Sequence, residues 1–168
     1  MKLAFSIILT CVSTVLTPQS EVHKGSAAAQ VSALDRGKGL HDQALGIVQA
    51  ERARAKQPLC PKAMTTLDIN ECYSAELDTT NSNYIKLVRA LGVLLRSGEE
   101  TSTAAPTRIP FDNAEDAWHR YRESACHAAG AQYEGGTIRP SIEMSCSLTV
   151  TRHHMDELWD LYSDIGTL

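Results

Sequence analysis

The sequence predicts an all-α protein, a small helical bundle that contains an antiparallel helix hairpin and is cross-linked by two disulfides. Hydrophobic residues make up 43% of the 168 residues, enough for a core, whereas aromatic residues make up only 5%. That balance leans towards helices. Apolar side chains recur at three- and four-residue steps on both sides of Gly135-Gly136, which places a helix on each side of a turn. A cysteine lies ten residues before Gly136 and another lies ten residues after it.

Each helix of the hairpin has a predicted beginning or end. Gly135-Gly136 should end the first helix, because glycine enters the left-handed region without steric cost. Thr137 is predicted to cap the second helix, with Pro140 in its tolerant first turn. Trp118, Tyr121 and Trp159 are predicted to lie in the core. The predicted apolar faces are Phe111, Ala114, Trp118, Tyr121 and Ala125 on the first helix, and Ile142, Leu148, Met155, Leu158, Tyr162 and Ile165 on the second.

The cysteine positions predict two disulfides. Cys126 and Cys146 are equidistant from the turn, so they should face each other within the roughly 4.4–6.8 Å between Cα atoms that a disulfide needs. Two buried free thiols are the alternative. Without Cys11, four cysteines remain, and four cysteines allow three pairings. A bond between Cys60 and Cys72 is predicted for the second pair, because residues 60–66 can fold back onto the following helix.

Residues 1–29 have the pattern of a signal peptide. A positive Lys2 precedes an apolar segment, residues 3–17, that is too short for a good membrane helix, and Ala27-Ala28-Ala29 offers a cleavage site. We therefore expect an exported protein, periplasmic or secreted, with no transmembrane span in the mature chain. A lipoprotein acylated at Cys11 is the alternative, although the apolar segment continues past that residue.

Residues 30–59 form a helix-prone arm and residues 60–168 form the predicted helical domain. The arm carries a charge of +2 and is interpreted as a partly ordered linker or an outer helix rather than a binding element. Pro58 and Pro61 should end it. In the domain, Thr65 and Asp68 form a capping box that starts a helix from Leu67 to about Arg96. Its predicted apolar face is Ile69, Cys72, Leu77, Tyr84, Leu87, Leu91 and Leu94. Residues 97–110 are predicted to be a loop.

These motifs resemble the lysozyme inhibitor LprI-like N-terminal-domain family over about residues 60–162. The residues that carry the resemblance are Thr65, Asp68-Ile69-Asn70-Glu71-Cys72, Glu76, the block from Ala117 to Cys126, Tyr133-Glu134-Gly135-Gly136-Thr137-Ile138, Pro140, Cys146, Thr151-Arg152 and Glu157-Leu158. The resemblance implies a small, α-helical, disulfide-bonded, exported domain, and the family takes its name from a mycobacterial lipoprotein that inhibits lysozyme. The chain departs from the family pattern where Tyr84-Ile85 replaces a usual Leu-Asn pair and where His154 replaces a frequent arginine.

The charge of the predicted domain is compatible with that function. Residues 60–168 contain nine Lys/Arg and sixteen Asp/Glu, a net charge of −7. An acidic body suits a basic partner such as a lysozyme or another muramidase, by raising the association rate. The same charge disfavours nucleic-acid binding. We therefore expect stoichiometric occlusion of the active-site cleft of a cell-wall glycoside hydrolase. A non-enzymatic envelope domain that binds an unrelated protein, without lysozyme activity, is the alternative.

The interhelical turn supplies the candidate partner-binding residues, which are Tyr133, Thr137 and Arg139. Donors on a protruding turn could reach the paired carboxylates of a glycosidase cleft. The competing interpretation is that the glycines and Thr137 serve only to end and cap helices. Arg120, Arg122, Arg152 and Glu123 are predicted to be structural, covering the core and pairing with neighbours.

We predict no catalytic residues, metal site or cofactor. His119, Glu123 and His127 lie on one helical face and His153 or His154 on its partner, but histidines two turns apart are about 12 Å apart, too far to share one ion. A site made of one of these two histidines, Glu123 and a histidine of the partner helix is the alternative. The chain has no nucleophile elbow or phosphate-binding loop, and Cys126 is assigned to a disulfide.

Overall fold

The computed structural model describes residues 22–101 and 107–165, which form four helices and no strand. The predicted all-α class is confirmed. The helices are α1 (Val22–Ala55), α2 (Thr66–Thr101), α3 (Arg108–Ala131) and α4 (Arg139–Tyr162). Most of the predicted signal peptide lies outside the described residues, and so do residues 102–106 of the predicted loop at 97–110. The loop prediction is wrong at both ends, because residues 97–101 belong to α2 and residues 108–110 belong to α3. Among the described helices, none is long and apolar enough to cross a bilayer.

Helices α2 and α4 form the centre of the bundle, and α1 and α3 pack on either side of them. Helix α4 runs parallel to α2 and antiparallel to α1 and α3. The contacts that fix these directions are His41 with Trp159, Glu51 and Glu76 with Arg152, Asn70 with Ser141, Cys126 with Cys146 and Phe111 with Tyr162. Helices α2 and α4 therefore start side by side. We call this end, formed by residues 56–65 and 132–138, the apical end.

The core is built mainly on one face of α2. Its buried apolar residues come from α2, α1, α3 and α4 and are Tyr84, Leu87, Ala90, Leu91, Leu94, Leu95, Ala44, Val48, Phe111, Met155 and Leu158. Four of these residues were predicted for α2 from the helical period. Leu87 and Leu91 are completely enclosed, and each such leucine stabilises the fold by about 2 kcal/mol relative to an exposed one.

The predicted arm is an outer helix of the bundle. Helix α1 continues through Gly37 and Gly39 and ends at Ala55, just before Pro58. Ala44 and Val48 are buried against the core. The interpretation as a linker therefore does not hold for the second half of the arm, because that half supplies apolar surface that α2 and α4 cover.

Both predicted disulfides are confirmed. The sulfur atoms of Cys60 and Cys72 lie 2.07 Å apart, and those of Cys126 and Cys146 lie 2.04 Å apart. The Cα atoms of the second pair are 5.4 Å apart, as expected for two helices in close contact on either side of a turn. One disulfide thus fixes the α1–α2 connection to the start of α2, and the other fixes α3 to α4.

The predicted capping box at the start of α2 is confirmed. The Asp68 amide donates to the Thr65 hydroxyl at 3.1 Å, and the Thr65 amide donates to the Asp68 carboxylate at 2.9 Å. Hydrogen bonds from the Met64 amide and from Thr65 lower the pKa of Asp68. The box therefore holds a charged acceptor at the positive end of the helix.

The predicted cap of α4 is wrong by one residue. Ile138 occupies the N-cap position, and no side chain caps the helix there. Thr137 lies in a turn that precedes the helix, where the Arg139 amide donates to the Gly136 carbonyl at 3.3 Å. The backbone of the turn therefore satisfies this amide, and the threonine hydroxyl is not needed. Gly135 has a φ of +74°, which confirms the conformational reason for a glycine at this turn.

The predicted inward face of α3 is partly wrong. Tyr121 is 61% exposed and Ala114 is exposed as well, although both were assigned to the core face. Instead, the inward positions between Phe111 and Cys126 hold Glu115, Trp118 and Arg122. The apolar period predicted the wrong face because two of the residues that actually point inward, Glu115 and Arg122, are charged.

Candidate functional site

The three predicted partner-binding residues all lie at the apical end. Tyr133 and Thr137 are exposed, as are all residues from 131 to 138, and Arg139 is half-buried. The Gly136 amide donates to the Tyr133 carbonyl at 2.9 Å, so the turn is closed by its own backbone. The α3–α4 turn therefore projects from the bundle with a defined shape.

Arg139 fixes that shape. Its Nη1 donates to Glu134 in the turn at 3.0 Å, and its Nε donates to Glu143 on α4 at 3.0 Å. These hydrogen bonds raise the pKa of Arg139, with Glu143 as the larger cause. Since both pairs occupy the guanidinium, Arg139 positions the turn, while Tyr133 and Thr137 present their side chains to solvent.

A second cluster of polar residues lies inside the bundle around Glu115, which is only 6% exposed. The Tyr84 hydroxyl donates to Glu115 Oε2 at 2.5 Å, and His154 Nε2 donates to Oε1 at 3.0 Å. Burial and the Glu115 carboxylate raise the pKa of Tyr84, so its hydroxyl stays protonated and donates. Glu115 is thus a buried carboxylate that two side chains from α2 and α4 satisfy.

Trp118 covers this cluster. Its ring stacks on His154 with centroids 4.0 Å apart and planes 12° apart, and its other contacts include the Tyr84 ring at 5.0 Å. The Arg122 guanidinium lies 5.0 Å from the indole centre. In the described parts of the chain, every buried side-chain nitrogen and oxygen has a hydrogen-bond partner. This arrangement stabilises the packing of α2, α3 and α4.

The residues considered as metal ligands are not brought together. His119 Nε2 lies 3.2 Å from the Tyr84 hydroxyl, whereas His127 lies about two turns further along α3, beside Glu143. Partial burial and nearby Arg122 lower the pKa of His119, which favours a neutral ring. Within residues 22–101 and 107–165, no group of three His, Cys, Asp or Glu side chains has the geometry to hold a metal ion.

Two arginines that were predicted to be structural do bind across helices. Arg122 donates to Asn81 and to Thr151, both at 3.0 Å. Arg152 is largely buried and pairs with Glu51 and Glu76. Arg120 and Glu123, in contrast, are exposed on the outer face of α3. Residue type alone could not separate these two groups, because the partners of Arg122 and Arg152 lie on other helices, far along the chain.

Comparison with known proteins identifies the family. The sequence model of the lysozyme inhibitor LprI family matches residues 60–158, which extend from Cys60 through α2 and α3 into the last turns of α4. The chain belongs to the lysozyme inhibitor LprI family. A curated relative, an uncharacterized protein of Rhizobium meliloti (strain 1021), is 29% identical over 114 residues, which cover 65% of this chain and 82% of the relative. No solved structure matches the chain.

The structure gives a physical context for two departures from the LprI family pattern. Tyr84 and His154 come from different helices, yet both donate to the same carboxylate, Glu115. Their rings lie 6.0 Å apart. The two departures therefore belong to one buried cluster, and a change at either position would remove a hydrogen bond that the Glu115 carboxylate accepts.

Sequence reasoning missed the exposed apolar residues before and at the start of α2. Met64 is 88% exposed and Leu67 is 65% exposed. Leu67 was predicted to begin a core helix, but it was assigned neither to the buried face of that helix nor to the exposed one. The signal was available, because Leu67 falls outside the helical face that holds Ile69, Cys72 and Tyr84.

Proposed function

We propose that this protein is an exported, non-enzymatic inhibitor of a lysozyme or another muramidase. The observation that carries the proposal is the family match, which spans both disulfides and the projecting α3–α4 turn. Disulfides are typical of proteins that fold in oxidising compartments, where cell-wall hydrolases act. The protein would act by stoichiometric occlusion of the active-site cleft, with no chemistry of its own.

The α3–α4 turn is the element that we expect to enter the cleft. Glycosidases hold a pair of carboxyl groups on either side of the scissile bond, in a concave site that accommodates sugar rings. Tyr133 and Thr137 project from a turn that Arg139 braces, so an aromatic ring and hydroxyl donors are presented in a fixed arrangement. Preorganisation of this kind lowers the entropic cost of binding.

The acidic surface would serve a different purpose. Exposed carboxylates lie along the sides of the bundle at Glu71, Asp78, Asp116, Glu123, Glu157 and Asp160. Lysozymes are commonly basic, so these charges would speed the encounter and orient it. They would contribute more to the association rate than to the lifetime of the complex.

A titration of enzyme activity tests the proposal. The exported, oxidised protein should inhibit at least one of a panel of lysozymes and bacterial muramidases, reversibly and with one inhibitor per enzyme. Affinity should fall as salt rises from about 0.05 M to about 0.5 M, because the Debye length falls from over 10 Å to well below it.

Two substrates make the assay specific. Lysis of bacterial cells followed by turbidity and cleavage of a soluble chitooligosaccharide should both slow down. Slower lysis without slower cleavage of the soluble substrate would mean that the protein shields the cell wall. No effect on any enzyme at several-fold molar excess would reject the inhibitor function.

A further inference from the structure

Exposed apolar side chains are concentrated at the apical end. Within the described parts of the chain, eleven large hydrophobic residues are exposed, and five of them belong to the two apical segments or the first turn of α2. These five are Leu59, Met64, Leu67, Tyr133 and Ile138. They come from both sides of the bundle, so the α3–α4 turn is only half of the feature.

A contact between the starts of α2 and α4 joins the two halves. The Ser141 hydroxyl donates to the Asn70 side-chain carbonyl. Leu67 lies three residues before Asn70, and Ile138 lies three residues before Ser141. Because α2 and α4 are parallel, both residues lie about 4.5 Å closer to the apical end than this hydrogen bond. Leu67 and Ile138 therefore stand at the same level on neighbouring helices.

Both halves are held rigidly. The Cys60–Cys72 disulfide and the capping box hold residues 60–68, and the Cys126–Cys146 disulfide with the Arg139 ion pairs holds the turn. This part of the molecule is the most densely cross-linked, yet its large apolar side chains are turned to solvent. Rigid loops that expose hydrophobic residues add nothing to the core, but they are well suited to binding.

The charge of the apical end differs from that of the body. Residues 56–65 contain two charged side chains, Lys56 and Lys62, and residues 132–138 contain one, Glu134, which Arg139 neutralises. The six exposed carboxylates named above lie further along the helices. Depletion of charge with enrichment of Met and Tyr is the composition of an interface core, and a charged periphery is that of its rim.

From these observations we infer that the apical end as a whole is the docking surface, with Met64 and Leu67 contributing beside Ile138 and the α3–α4 turn. Its occupant is the sugar-binding cleft of a basic lysozyme. An apolar surface with few charges fits a site lined by apolar and aromatic groups, and the acidic sides fit the basic surface around it. This inference rests on the proposed function and identifies the apical end as the surface through which the protein binds the enzyme.

The charges argue against a second copy of the chain as the occupant. Two domains with a net charge of −7 would meet end to end with their acidic sides adjacent, which costs association energy at low salt. With a basic enzyme as the partner, the electrostatic energy of association is favourable instead.

Substitutions by aspartate separate binding from folding. Met64→Asp, Leu67→Asp and Ile138→Asp each place a negative charge just before or within the first turn of a helix, where it is favourable to the helix. All three variants should melt at or above the wild-type temperature. Each should raise the inhibition constant by about tenfold, as for residues in the centre of an interface.

The chain offers a matched control at the opposite end of the bundle. Ile109 is 66% exposed and lies in the first turn of α3, so Ile109→Asp makes the same chemical change at an equivalent helix position. It should change the inhibition constant by less than about threefold, because it lies outside the docking surface.

The outcomes are distinguishable. Wild-type protein that inhibits no enzyme overturns the proposed function and this inference together. Inhibition that the three apical variants and Ile109→Asp weaken equally overturns the inference alone. If size-exclusion chromatography finds a wild-type dimer that Met64→Asp dissociates without loss of inhibition, the apical end is a self-interface and the inference is wrong.

Discussion

Replacement of Glu51 by alanine should lower the free energy of unfolding by about 3 kcal/mol, as expected when one partner of a buried ion pair is removed. Glu51 is 3% exposed, and its Oε2 accepts hydrogen bonds from Arg152 Nε at 3.2 Å and from the Thr80 hydroxyl at 3.1 Å. Its Oε1 accepts from Arg54 at 2.8 Å and from Asn83 at 2.7 Å. One carboxylate on α1 therefore satisfies donors from α1, α2 and α4.

The loss should fall at the low end for buried pairs, because Glu76 contacts both arginines and would remain. Arg52→Ala is the matched control on the adjacent residue. Arg52 pairs with Asp156 at 2.7 Å, but both side chains are about 40% exposed, and such pairs contribute less than about 1 kcal/mol. Denaturant melts measure both changes. Equal losses for the two variants would mean that the buried network does not hold α1 to the bundle.

Replacement of Trp118 by alanine should cost about 3 kcal/mol, since large aromatic side chains leave a cavity that the surroundings fill only partly. Trp118 stacks on His154 and contacts the Tyr84 ring, and the Arg122 guanidinium lies over its ring. Removing the indole would also admit water to the buried Glu115 carboxylate. The free energy of unfolding, again from denaturant melts, measures the cost.

Tyr121→Ala provides the comparison one turn away on the same helix. Tyr121 is exposed, so the substitution should change the free energy of unfolding by less than about 0.5 kcal/mol. A loss at Tyr121 as large as that at Trp118 would restore the inward face that the apolar period predicted. It would contradict the placement of Glu115 inside the bundle.

Much of the fold could be predicted because its signals are local. The capping box of Thr65 and Asp68, the turn at Gly135 and the apolar period of α2 each depend on residues a few positions apart. The Cys126–Cys146 pairing needed only the position of one turn. Such features follow from helix geometry and backbone sterics, which the sequence states directly.

The buried charges could not be predicted, because their cost is offset only by partners far along the chain. Glu115 is separated from Tyr84 and His154 by more than thirty residues on either side. Glu51 bonds Arg152 across 101 positions. A rule that assigns charged residues to the surface therefore predicts the wrong inward face for α3. The same rule does not place α1 against the core.

The candidate site was half predicted for a related reason. The α3–α4 turn could be located from its glycines, so Tyr133, Thr137 and Arg139 were identified as residues of a projecting turn. Met64 and Leu67 became candidates only when the Asn70–Ser141 contact placed the two loops side by side. Local spacing places Leu67 outside the inward face of α2, but only the fold shows that it lies at the same level as Ile138 of the α3–α4 turn.

Competition with a soluble oligomer of N-acetylglucosamine tests the central claim, that the protein occludes the sugar-binding cleft, most directly. Binding of the oxidised protein to a lysozyme that it inhibits would be measured by calorimetry at increasing oligomer concentration. The apparent Kd should equal the Kd without oligomer divided by the fraction of enzyme that is free of the oligomer, with one inhibitor bound per enzyme. A Kd that stays constant at saturating oligomer would place the inhibitor elsewhere on the enzyme and contradict occlusion of the cleft.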